Sequence, residues 1–205
     1  MNKTVEDLIT RRSVRKFKDH PVPKELLDQV IEAGLYAPSG RNFQSSIIIA
    51  VSNPELRNRI AEINCRIGGW AKDFDPFYGA PTILIVLGDK SRPNYLYDGS
   101  LTMGNLMNAA HAVGLGSCWI HRAREEFETE EFKELLKSLG VTGEYEGIGH
   151  CALGYSNEEP VKPPKRKEHR VFYKKKKKSC TVALPVRPVF CSSTDRKNHD
   201  HTSTP

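Results

Sequence analysis

The sequence predicts a layered domain of the α/β or α+β class, with helices packed on a β-sheet. Two continuous apolar runs, SIIIAV over 46–51 and TILIVL over 82–87, have the β-branched character of strands covered on both faces. Between the runs lie segments whose apolar residues recur at helical spacing. Proline, glycine and asparagine punctuate the junctions. This alternation of helix and strand defines layers but does not by itself fix strand topology.

Thr4 to Asp7 forms a capping-box-like start to a short helix carrying Val5, Leu8 and Ile9 on one face. Pro23 opens a second helix with Leu26, Leu27, Val30, Ile31 and Leu35, which stops at Ala37-Pro38-Ser39-Gly40. After the first strand, Asn53-Pro54 starts a third helix with Leu56, Ile60, Ile63 and Ile67 facing inward. A long helix from about Gly99 to Val113 ends at Gly114, its small residues suited to close packing at the centre of the fold. A strand near 116–120, a helix capped by Thr129 and a strand near 148–153 complete the order. No internal repeat is present.

At 205 residues the chain suits one domain of ordinary size. Beyond Gly154 a proline- and lysine-rich arm, 154–173, has little capacity to form helix and must cross a surface. It ends in Val171-Phe172-Tyr173, strand-forming residues suited to burial against another subunit's sheet. Residues 1–173 are therefore assigned to the domain, and the lysine-rich 174–205 to a disordered tail. The tail's abrupt onset fits a shifted reading frame as well as a native segment that binds acidic partners.

The net charge of +6 belongs to that tail, because residues 1–173 hold 23 basic and 23 acidic residues. A neutral body, with no aromatics interleaved in the lysine run, weighs against a nucleic-acid partner. No stretch reaches the ~20 apolar residues of a membrane span, and MNKTVEDLITRRS lacks the apolar core of a signal peptide, so the expected location is cytoplasmic. The five cysteines show no CxxC or finger spacing. Reduced thiols are expected, and no metal site.

Two segments carry candidate chemistry. Arg11, Arg12, Ser13 and Arg15 place three guanidinium groups and a hydroxyl within five residues at a helix-to-loop junction, a set that matches phosphate oxygens. Alone, RRSVR is more often a solvated basic turn. Ala37 to Gln44 (APSGRNFQ) supplies a hydroxyl and two amides in a turn, which could pair with the polar edge of a flat heterocycle. Alone, it too is only a turn.

Together and at this spacing, the two resemble the N-terminal signature of the nitroreductase family of flavoproteins. The resemblance continues through Gly79-Ala80-Pro81, Asp98, the helix 105–112, the run GLGSCWI over 114–120, and the arm with Arg166-Lys167. It implies an α+β, three-layer domain with a central mixed, mainly antiparallel sheet, in an intertwined homodimer with FMN at the subunit interface. By this resemblance Arg11, Arg12, Ser13 and Arg15 would bind the FMN phosphate and pyrimidine edge, with Arg166 completing the phosphate site. Pro38, Ser39, Gly40, Asn42 and Gln44 would approach the same flavin from the partner subunit. A backbone amide within Ile120, His121 and Arg122 would face flavin N5.

One departure stands out. Small family members continue with glycine after Trp-Ile, whereas this chain has His121-Arg122. A side chain at His121 either narrows the pocket, adds a proton donor or points to solvent; a lone histidine favours the last.

The function implied is hydride transfer from NADH or NADPH through FMN to a nitroaromatic, quinone or similar small acceptor. The flavin does the chemistry, so no catalytic side chain is required. The same scaffold can host reductive dehalogenation or flavin fragmentation, and a non-enzymatic binder using the basic tail is the alternative from another class. Trp70, Phe74, Phe77 and Tyr78 form a loop that either lids the flavin or packs. Glu125, Glu126, Glu128, Glu130 and Glu131 are read as carboxylates at a helix N-terminus, where the dipole favours them. Asp98 either positions the long helix or caps it at the surface.

Overall fold

A computed structural model describes residues 1–174 of the chain. The lysine-rich run after Lys174 lies outside the described residues. Met1–Pro164 forms the compact body, and the segment from Lys165 is a separate unit. Within that segment the described residues have no helix or strand, and Val171, Phe172 and Tyr173 are exposed.

The body contains α1 (Lys3–Thr10), α2 (Lys24–Leu35), β1 (Ser46–Val51), α3 (Pro54–Gly68), β2 (Thr82–Asp89), α4 (Tyr95–Ala112), β3 (Gly116–Ile120), α5 (Ala123–Phe127), α6 (Glu130–Ser138) and β4 (Tyr145–Gly154). The strands lie in the order β1-β2-β4-β3, and each neighbouring pair is antiparallel. A parallel bridge from Ser13 to Ser117 adds the chain after α1 to the β3 edge. The expected α+β sheet is therefore present, and its parallel component is this one bridge.

Strand β2 shows why the domain has three layers. Its residues Ile83 to Leu87 are fully buried, and successive side chains alternate between faces. Ile83, Ile85 and Leu87 join Ile60, Ile63, Phe127, Phe132 and Leu136 in the core shared with α3, α5 and α6. Leu84 and Val86 join Val30, Met103, Leu106 and Ala110 beneath α2 and α4. Fully burying residues such as Met103 and Leu106 contributes about 1.5 to 3 kcal/mol each.

Several local expectations are corrected by the caps. The first helix is capped by Asn2, whose side chain accepts from the Thr4 N–H. Its apolar face is uncovered in the single chain, with Val5, Leu8 and Ile9 exposed. Helix α3 begins as expected at Pro54, with Asn53 accepting from the Leu56 N–H. Helix α4 starts a turn earlier than Gly99, at Tyr95. Five residues after β3 form α5, too short to leave a periodic signal. Thr129 stands at the N-cap of α6, but its hydroxyl donates back to the Glu126 carbonyl.

The cysteines at 65, 118 and 151 are buried free thiols. Burial pushes the Cys151 thiol up to about 12, which makes it a small core hydrophobe at neutral pH.

The register of β2 and β4 shifts between Val86, opposite Gly149, and Leu87, opposite Gly147, leaving Ile148 as the extra residue. A Cβ at Gly147 would fall on the backbone of Ala123, at the start of α5. The close approach holds the β3–α5 turn against the sheet. Gly147→Ala is expected to destabilise the protein by about 1 to 3 kcal/mol, because backbone rather than a flexible side chain must move. A denaturant titration checks this, an unchanged midpoint contradicting it.

Candidate functional site

The basic run after α1 is held as an extended strip between two neighbours. Val14 donates to the Ser117 carbonyl at 3.0 Å on the β3 side. On the other side Arg15 N–H donates to Glu158 Oε2 at 3.0 Å and Lys18 N–H to the Tyr155 carbonyl at 2.9 Å. This stitching gathers Arg11, Ser13 and Arg15 beside Cys118. Burial raises the Cys118 thiol, and Arg15, the Ser13 hydroxyl and Arg11 pull against that rise.

The guanidinium groups are only partly used by the protein. Arg12 Nη1 donates to the Ile9 carbonyl at 2.9 Å and also to the Arg11 carbonyl. Arg11 Nη1 and Arg12 Nε and Nη2 are buried with no hydrogen-bond partner. A buried guanidinium nitrogen without an acceptor is costly, and a phosphate ester supplies acceptors in the matching geometry. The residues present therefore fit the phosphate end of FMN.

The second segment is a strained turn. Arg41, Asn42 and Gln44 have φ of 53°, 56° and 49°, three left-handed non-glycine residues within four positions. Asp98 holds it: the buried carboxylate accepts from the Gly40 N–H at 3.0 Å and the Ser45 hydroxyl at 2.7 Å. Asp98 is thus neither a surface cap nor solvated, but a tether from the first turn of α4. Ser39 Oγ accepts from the Gln44 N–H at 3.0 Å, while Pro38, Asn42 and Gln44 are exposed.

These two segments do not meet within one chain. The turn is tied to α4 at Asp98, whereas Thr10 at the end of α1 pairs with His111, thirteen residues further along the same helix. At 1.5 Å per residue the two anchors lie about 20 Å apart.

The third segment is the β3–α5 turn. Ile120 ends the strand and is buried, His121 is exposed, and Arg122 adopts φ 81°, ψ 4°. The left-handed conformation that suits glycine falls at Arg122, not at His121. The Arg122 guanidinium lies 4.5 Å above the Trp70 ring, and the His121 ring is 5.9 Å from that of Trp119. Leu96, Trp119, His121, Arg122 and Ile148 line a cleft of about 490 Å³. A comparable hollow of about 520 Å³, near Lys133 and Tyr145, contains none of the expected site residues. In the 70–78 loop, Phe77 is core, whereas Trp70 and Phe74 pack edge-on and remain partly exposed. Arg166 lies in the separate segment from Lys165 and is exposed.

Sequence reasoning missed a buried polar set beneath the same turn. Glu126 is not a dipole-stabilised surface acid: it is fully buried, 2.7 Å from His150 Nε2. Asn64, also fully buried, donates to Glu126 and to the His121 carbonyl. The available signal was a polar residue inside an apolar pattern, Asn64 between Ile63 and Cys65 and His150 before Cys151.

Comparison with known proteins agrees with this geometry. The nitroreductase family model matches residues 8–66 and 69–155. The chain is 34% identical over 160 residues to an NADH dehydrogenase/NAD(P)H nitroreductase of Methanothermobacter thermautotrophicus, covering 76% of this chain and 78% of that one. It is 29% identical over 199 residues to an FMN reductase [NAD(P)H] of Bacillus subtilis, covering 84% and 75%. The crystal structure of a nitroreductase with bound FMN from Bacteroides fragilis superposes with a TM-score of 0.75 at 29% identity, covering 85% of this chain and all of that one. Fold and site define a flavoprotein-type oxidoreductase scaffold. The chain belongs to the nitroreductase family.

Asp98→Asn should lose a charge-assisted hold on the Gly40–Ser45 turn, costing about 1.5 to 3 kcal/mol. Faster amide exchange confined to residues 39–45, with a lowered unfolding midpoint, is the expected result. Wild-type exchange there would remove Asp98 from this role.

Proposed function

We infer that this chain is an FMN-dependent oxidoreductase that takes hydride from NADH or NADPH and reduces a nitroaromatic, quinone or similar flat acceptor. The observation that carries the reading is the set of buried, partnerless guanidinium nitrogens on Arg11 and Arg12 in a chain of this family. Arg11, Arg12, Ser13 and Arg15 bind the phosphate and pyrimidine edge. FMN, when bound, accepts hydride at N5 and passes the electrons on. The chain's own work is to orient it, hold its charge and leave one face open.

Two features support a homodimer with shared sites. The anchors of the two cofactor segments stand about 20 Å apart along α4, so Pro38, Ser39, Gly40, Asn42 and Gln44 complete the site of a second copy. Exposed apolar residues line the same elements: Leu8 and Ile9 on α1, Leu35 and Tyr36 at the end of α2, and Tyr97 and Leu101 on α4. Such a set on one chain marks an interface. The arm 154–173, with Val171, Phe172 and Tyr173 exposed, is assigned to the partner's surface.

In this reading the cleft beside His121 and Arg122 receives nicotinamide and acceptor in turn, against the Ile120–Arg122 backbone. Among the described residues no helix is long and apolar enough to cross a membrane.

The purified protein should be yellow and bleach with NADH or NADPH. A colourless protein that cannot be reconstituted with FMN would overturn the assignment. Arg11→Ala should weaken FMN binding by about one to two orders of magnitude, the loss of one charge-assisted contact of ~1.5 to 3 kcal/mol. Fluorescence titration measures this, and wild-type affinity would show that the phosphate lies elsewhere.

A further inference from the structure

Three elements each place one polar side chain under the turn that ends β3. Asn64 comes from α3, Glu126 from α5 and His150 from β4, where it is the register partner of Ile120. All three are fully buried. His150 Nε2 lies 2.7 Å from Glu126 Oε2, and Asn64 Nδ2 lies 2.6 Å from Glu126 Oε1 and 2.9 Å from the His121 carbonyl oxygen. The Asn64 amide thus forks, one hydrogen to the carboxylate and one to the main chain.

Burying a carboxylate and an imidazole costs several kcal/mol of hydration, and apolar side chains of the same volume would pack at least as stably. Stability alone therefore does not account for the set. Its geometry does point to a task. The His121 carbonyl and the Arg122 N–H belong to one peptide unit, and all peptides in the body are trans. In a trans unit the two groups point in opposite directions. Drawing the carbonyl inward onto Asn64 turns the Arg122 N–H outward, toward the cleft that His121 and Arg122 line. Among the described residues, no protein group accepts from that N–H. The hold also keeps Arg122 at its φ of 81°, a conformation that an arginine adopts only when its surroundings impose it.

We propose that Asn64 and Glu126, with His150 packed against the carboxylate, form a buried positioning relay that fixes the His121–Arg122 peptide so that the Arg122 N–H faces flavin N5 and sets the flavin's reduction potential. The proposal rests on the FMN reading above. The carboxylate takes one hydrogen of the Asn64 amide and so fixes the amide plane, which leaves the second hydrogen aimed at the His121 carbonyl. Oxidised N5 has a free lone pair and accepts a hydrogen bond, whereas reduced N5 carries a hydrogen of its own. A fixed donor at that point favours the oxidised form. Loosening it raises the potential.

The test uses the full chain, flavin-free and FMN-loaded, with Asn64→Leu and Glu126→Gln. Asn64→Leu removes the fork while keeping a branched side chain with the same number of heavy atoms. Glu126→Gln keeps an oxygen for Asn64 but removes the charge. In Asn64→Leu the ratio of affinities for reduced over oxidised FMN should rise about tenfold, equal to about 30 mV for two electrons. The Arg122 amide resonance should move in the flavin-free protein as well. Glu126→Gln should shift both in the same direction by less, and it carries the test alone if Asn64→Leu does not fold. Wild-type potential together with an unmoved Arg122 resonance would overturn the relay. Failure of the wild-type protein to bind FMN would instead overturn the flavin reading, while the flavin-free resonance still decides whether the relay holds the peptide.

Discussion

Helix α4 is the constraint on which the rest of the structure depends. Met103, Leu106 and Ala110 bury it against Leu84, Val86, Cys151 and Leu153. Its length then sets where everything else can be anchored. Asp98 at one end grips the Gly40–Ser45 turn through two hydrogen bonds, and His111 at the other meets Thr10 at the end of α1. A helix so firmly seated cannot bend to bring its ends together. The two cofactor segments are therefore served by separate copies in the proposed dimer.

The sheet imposes a second order on the site. Alternation along β2 sends α2 and α4 to one face and α3, α5 and α6 to the other. The Ser39–Gln44 turn is tied to the α4 side through Asp98, whereas the basic strip extends the sheet at the β3 edge, with Val14 and Phe17 packed into the opposite core. The polar set of Asn64, Glu126 and His150 belongs to the opposite side, beneath the β3–α5 turn. That turn is reached from both, through the cleft with Leu96 of α4 and through Asn64 of α3. It is also where Gly147 lets β4 approach the Ala123 backbone.

What was legible in the sequence follows from which forces leave a linear trace. Continuous β-branched runs marked β1 and β2, and Asn53-Pro54 marked the start of α3, because burial and capping act over a few neighbours. The guanidinium cluster was legible as a concentration of charge, and only its company with the Ala37–Gln44 segment pointed to phosphate. Short α5 was not, having too few residues for a period. Glu126 was hidden among four other acids, and only its pairing with His150 across the fold sets it apart. Asp98 shows the same limit: its partners Gly40 and Ser45 lie more than fifty residues away. Long-range polar contacts between single residues leave no pattern in a chain read in order.

The two edges of the sheet have unequal fates. The β3 edge is bridged by Ser13, but nothing among the described residues of the body pairs with the outer edge of β1. That edge presents the backbone of SIIIAV, six residues without charge or proline. Such a strand is a template for further strand addition. Colloidal behaviour should then follow the cover of this edge more than net charge.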